Sequence, residues 1–80
     1  MEINDFIRKF AEQFDETDIN VFSQTTKFRE QNEWSSLVAL SIIAMVDEEY
    51  DITLKGEDMR KAQTIEDLFC IVRDRKNGIV

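Results

Sequence analysis

The chain has 80 residues, no histidine, no proline, one cysteine and a formal net charge of −7. That length makes one small domain, which buries only about 60% of the surface its unfolded form exposes and leaves no room for a large cleft beside a core. An apolar share of 42% suffices for a packed core and excludes a disordered acidic tail, while the acidic balance argues against nucleic acid as a partner, which needs cations facing phosphates.

In chain order, Ile3, Phe6, Ile7, Phe10, Ala11 and Phe14 recur at three- and four-residue steps. This predicts an amphipathic helix over 2–14 with one apolar stripe turned to the core. From 15 to 34 the period is lost. Polar residues dominate there, with Ile19, Val21, Phe22 and Phe28 as scattered hydrophobic pins and Trp34 as a further one. A long loop with one helical turn is expected, and a connection of that length is often functional.

A second helix is predicted over 36–50. Ala39, Ile42, Ile43, Val46 and Tyr50 fall on its core face, and Leu37, Leu40, Ser41, Ala44, Asp47 and Glu48 on or near the other. DITLKG, 51–56, is a connector with Ile52 and Leu54 turned inward. GEDMRKA, 56–62, predicts a short third helix. TIED, 64–67, opens the last one, with a hydroxyl at the N-cap and an acid three residues on, resembling a capping box. Ile65, Leu68, Phe69, Ile71 and Val72 supply its buried face, and Arg73, Arg75 and Lys76 followed by Gly78 suit its C-terminal end. The predicted fold is all-α: a small four-helix bundle, one helix short, with a long loop between the first two, forming a single domain over 1–80. Its core is expected from Phe6, Phe10, Ile42, Ile43, Val46, Tyr50, Ile52, Leu54, Leu68 and Val72, with Ile3, Phe28 and Ile71 contributing.

Without histidine the commonest general base is missing, and neither a Ser–His triad nor a Cys–His pair can be assembled. Cys70, between Phe69 and Ile71, reads as a small buried hydrophobe. One cysteine and no histidine make a poor zinc site. DETD and DEEYD lack the spacing and central glycine of a calcium loop. The chain is expected not to be an enzyme. The single cysteine, and an N-terminus without a charged-then-apolar signal layout, lead to the expectation of a soluble cytoplasmic protein, and no apolar run approaches a membrane span.

The stretch EWSSLVAL, 33–40, places two serines before the most apolar segment of the chain. A helix start has unpaired N–H groups and a partial positive charge, so one serine serves as N-cap. The second is surplus to capping. A phosphodiester on it would meet the positive helix end and project from the junction of loop and helix.

An ordered series now stands out. Ser36-Leu37 opens an apolar helix that ends in Asp47-Glu48-Glu49-Tyr50-Asp51; then come Ile52-x-Leu54, Glu57-Asp58-x-x-x-Ala62 and Thr64-Ile65-Glu66-Asp67-Leu68. Over nearly the whole chain this resembles the acyl carrier proteins, including the spacing from Ser36 to Tyr50. The resemblance implies that Ser36 carries 4′-phosphopantetheine through a phosphodiester, and that the arm holds acyl groups as thioesters for separate enzymes. It implies a phosphopantetheinyl transferase and acyl-transferring or acyl-modifying enzymes as partners, and a monomer.

Two features depart from that family's pattern. Ser35 stands where an aspartate is usual, and Val38, Ala39 and Ser41 occupy a stretch of the second helix where acids are usual. The docking face is therefore expected around Leu37, Val38 and Ser41, mainly apolar, with Asp47 and Glu48 as its remaining acids. Both fatty-acid synthesis and a specialised acyl or secondary-metabolite route with a dedicated partner stay open. The alternative reading is an acidic helical adaptor that binds a protein partner without modification.

Overall fold

The computed structural model describes residues 1–78. Four helices, α1 (Ile3–Ala11), α2 (Ser36–Tyr50), α3 (Gly56–Lys61) and α4 (Ile65–Lys76), form a small all-α bundle of 34 × 23 × 21 Å. Two single 3₁₀ turns, Ile19–Val21 and Phe28–Glu30, punctuate the loop between α1 and α2. Among the described residues no helix is long and apolar enough to cross a membrane.

α1 ends three residues before the predicted limit. Its last turn tightens into three-residue closures, Gln13 N–H to Phe10 O at 3.1 Å and Phe14 N–H to Ala11 O at 3.0 Å. Phe14 is buried all the same, because this turn swings its ring onto Phe22, 4.8 Å away between centroids. The long loop is then held by rings. Phe10 meets Phe28 edge-on at 5.4 Å, and Phe28 meets Trp34 at 5.2 Å. The loop also joins the start of α4 through its backbone: Ile65 N–H donates to Thr26 O, and Glu66 N–H to Gln24 O.

α4 opens as its sequence demands. Asp67 N–H donates to Thr64 Oγ1 and Thr64 N–H donates to Asp67 Oδ2, both at 3.1 Å, closing a capping box. α2 ends on Asp51 in the left-handed region at φ 57°, which a short polar side chain tolerates. Lys76 Nζ, from the last turn of α4, caps the freed Tyr50 carbonyl at 3.1 Å.

The core is one cluster. Phe6, Phe10, Phe28, Ile42, Val46, Ile65, Leu68 and Val72 are completely buried. Ile43 and Ile52, placed in the core from sequence, are half-buried and pack against its edge, as do Ile3 and Ile71. Met45 and Met59 take buried places instead. Cys70 is half-buried rather than enclosed.

Leu68→Ala should therefore cost about 2–5 kcal/mol, a large share of the roughly 5–15 kcal/mol of a small domain. Ile43→Ala, at the edge, should cost less than half as much. Denaturant midpoints of the two variants check this ranking, and equal losses would contradict the placement of Ile43.

Candidate functional site

The two serines have separate places. Ser35 is extended, and its Oγ accepts from Val38 N–H at 3.2 Å, while its carbonyl accepts the first helical bond from Ala39. Ser35 is thus the N-cap. Ser36 is the first residue of α2, exposed, and its hydroxyl makes no hydrogen bond among the described residues. The first turn of α2 holds no acid, so its N-terminal N–H groups keep their positive potential.

The approach to Ser36 is fixed by Glu33. Its carboxylate accepts from Asp15 N–H at 2.6 Å, Thr17 N–H at 2.9 Å, Thr17 Oγ1 at 2.7 Å and Glu16 N–H at 3.1 Å. The Thr17 hydroxyl above all, helped by the three amides, holds the Glu33 carboxyl below its usual range. The carboxylate thereby ties the far side of the loop to the residue just before Trp34.

The predicted docking residues divide. Leu37 is 77% exposed, and Ser41, Asp47 and Glu48 are exposed as well. Val38 is half-buried and packs on the core, so it is not the free apolar neighbour expected from sequence. Helical geometry gives that place to Leu40, which is 61% exposed. Glu48 lies twelve residues beyond Ser36, about 18 Å along the helix. Glu49 is engaged by Lys9 at 3.1 Å.

A groove of about 560 Å³ runs beside Ser36, between α2 and α3. Trp34, Ala39, Ile43 and Met59 form its apolar walls, and Arg29 and Arg60 also line it. Sequence patterning missed both arginines. One sits in the loop and the other on α3, and only the tertiary fold brings them together.

α3 is locked in position by Asp58, which is 1% exposed. Its carboxylate takes both arms of Arg75, at 2.6 and 2.8 Å, and accepts from Lys55 N–H at 2.9 Å. Arg75 also donates to Thr53 O at 3.1 Å, so one guanidinium ties the connector and α3 to α4. The Arg75 partner holds the Asp58 carboxyl below its ordinary value, against the opposing effect of burial.

Among the described residues no group of three or more His, Cys, Asp or Glu side chains is arranged to hold a metal ion. No family model, no curated protein and no solved structure matches the chain.

Arg8 holds the Asp5 carboxyl below its usual range, and the N–H groups of Thr64 and Gln63 do the same for Asp67, so these two act in the same direction as Glu33 and Asp58. A group whose folded value lies below its unfolded value stabilises the fold above the unfolded value, about 3.9 for Asp, and loses that contribution as pH falls through the folded one. Thermal melts should thus be flat near neutrality and fall on the acid side. Asp58→Asn should make that acid limb shallower, the other depressed carboxyls still contributing to it, and lower neutral-pH stability by about 1.5–3 kcal/mol. Glu33→Gln should speed amide exchange at residues 15–17 with little change in α4. Unchanged exchange there would show that Glu33 does not hold the loop.

Proposed function

We propose that this chain is a carrier protein of the acyl-carrier type, with 4′-phosphopantetheine attached to Ser36. The observation that carries the reading is the division of labour between the serines. Ser35 closes the helix, so Ser36 presents an unengaged hydroxyl at the head of a rigid helix, at the end of a tethered loop. The ordered sequence resemblance, from Ser36-Leu37 through Thr64-Ile65-Glu66-Asp67-Leu68, supports the same assignment.

The residues present fit the group. A phosphodiester on Ser36 Oγ meets the positive end of α2 and no acid in its first turn. Attachment forms one bond, from Ser36 Oγ to the phosphorus on the pantetheine side of coenzyme A. It breaks the pyrophosphate bond, releases the nucleotide bisphosphate, and gives the hydroxyl proton to a base of the transferase, since this chain has no histidine to take it. The arm supplies a thiol that holds acyl groups as thioesters; the protein supplies position and a surface. Cargo chemistry belongs to separate enzymes, of fatty-acid synthesis or of a specialised route.

Those enzymes are proposed to dock on Leu37 and Leu40, exposed apolar side chains on the first turns of α2. Asp47 and Glu48 lie farther from Ser36 than a Debye length of about 8–10 Å. Docking should therefore depend more on apolar contact than on charge steering.

The test is intact mass after incubation with a broad-specificity phosphopantetheinyl transferase and coenzyme A. One added group is expected on the wild type and none on Ser36→Ala. Ser36→Ala should melt within a degree or two of wild type, because the cap is not touched. Ser35→Ala should still be labelled yet lose about 1 kcal/mol as a cap variant. Labelling of Ser36→Ala would sink the assignment. Leu37→Ala should weaken docking of the acyl-transferring partner, and added salt should do little. Partner binding that needs no modification would favour the adaptor reading, for which the same leucines serve as the epitope.

A further inference from the structure

Arg8, Arg73 and Arg75 are each paired with a carboxylate. The other two arginines, Arg29 and Arg60, have no carboxylate partner among the described residues, and both line the groove beside Ser36. None of the chain's 17 Asp and Glu residues lines it. In a protein of net charge −7 this groove is locally cationic.

Arg29 is held in place, whereas the exposed Arg60 guanidinium is free to take a partner. Arg29 Nη2 donates to Ala62 O at 2.8 Å, just past the end of α3, and the group lies 5.9 Å from the centre of the Phe28 ring. Arg60 Nη1 lies 3.3 Å from the point a Cβ on Gly56 would occupy, so it is folded back over the start of α3. The cations mark opposite ends of a six-residue helix, about 9 Å long. Met59 and Ile43 line the same groove with apolar surface.

We propose that this groove selects acyl cargo ending in a carboxylate. The inference rests on the carrier reading, because the cargo reaches the groove from Ser36. Methylenes of such a cargo lie on Ile43 and Met59, and its terminal carboxylate is set against a guanidinium, whose planar fork matches it with two parallel hydrogen bonds. A plain saturated chain suits the groove less well, since covering the cations takes them from water without giving them a partner. The phosphodiester has its own partner in the N–H groups at the start of α2.

The experiment charges the phosphopantetheinylated full-length protein with glutaryl or with hexanoyl groups from the corresponding coenzyme A thioesters. It follows amide spectra, melting temperature and the rate of exchange with excess small thiol. Glutaryl alone should shift the amides of Gly56, Met59 and Arg60 and raise the melting temperature. Its thiol exchange should be about fivefold slower than that of hexanoyl at low salt, as one charge-assisted contact allows. Arg60→Gln, which removes no hydrogen bond or ion pair found in the structure, should erase the difference and leave the hexanoyl form unchanged. Arg29→Gln also loses the bond to Ala62, so its melting temperature is first read in the uncharged form. Equal exchange for the two cargoes, or stronger protection of hexanoyl, overturns the proposal. So does a phosphorus resonance of the uncharged form that moves with Arg60→Gln while cargo identity has no effect, which assigns the cations to the phosphodiester. If mass shows no group on Ser36 at the outset, the carrier reading itself fails before any cargo is compared, and the proposal falls with it.

Discussion

The ring of Phe10 is the contact on which the rest of this small domain depends. It touches Phe6, Phe14, Phe22 and Phe28, with centroids between 5.4 and 6.3 Å. Three of those partners, Phe14, Phe22 and Phe28, lie between α1 and α2, and Phe28 passes the contact on to Trp34. A loop of this length has few regular hydrogen bonds to order it, and its conformational entropy must be offset by burial. Large rigid rings do that with few rotatable bonds. Through this chain of rings α1 determines where the loop delivers Trp34, and therefore where Ser35 and Ser36 begin α2.

A second tie works from the other end. Asp58 and Arg75 hold α3 and its connector to α4, although α3 is only six residues long and could not persist alone. The pair is asymmetric: Asp58 is enclosed and Arg75 keeps contact with water. Such a pair contributes more to geometry than to net stability, because burying the carboxylate costs much of what the bonds return. The geometry is what the groove needs. Its second wall is α3, so the rings and the ion pair together set the groove's width.

How much of this could be read from the sequence follows from which patterns are local. The helices of α2, α3 and α4 were legible to within a residue because caps and periodicity are encoded side by side: Ser35 before Val38, Thr64 before Asp67. The end of α1 was not, since Phe14 fits a helical stripe as well as the tightened turn that the Phe22 ring imposes. Met45 and Met59 took core places that pattern alone gave to Ile43 and Ile52. An unbranched side chain reaches into gaps set by neighbouring elements, which no single-helix period contains. At the site, Ser36 and Leu37 were visible as a motif, whereas Val38 went to the core side and Leu40 took its place outside. The four donors to Glu33 and the two arginines that share the groove come from segments 16–31 residues apart, and nothing in the local sequence marks them.

The distribution of charge gives the two serines their physical meaning. In many small domains the residue that caps a helix is also the one that faces solvent at its head, so a hydroxyl there is already engaged. Here Ser35 caps with a neutral oxygen and leaves Ser36 free. A neutral cap leaves the positive end of α2 uncompensated by a charge of its own. The same neighbourhood lacks acids along the first turns of α2 and gains two arginines from the groove. Acid is instead concentrated in the loop after α1, at Glu12, Asp15, Glu16 and Asp18, and at the end of α2, where Lys9 engages Glu49. Helix α2 is thus polarised along its length: acidic at its far end and free of acid in its first turn, where Ser36 is presented. On the carrier reading, a phosphodiester on Ser36 meets the positive end of α2 while the groove's arginines stay open to the cargo, and the protein needs no catalytic residue of its own to hold either.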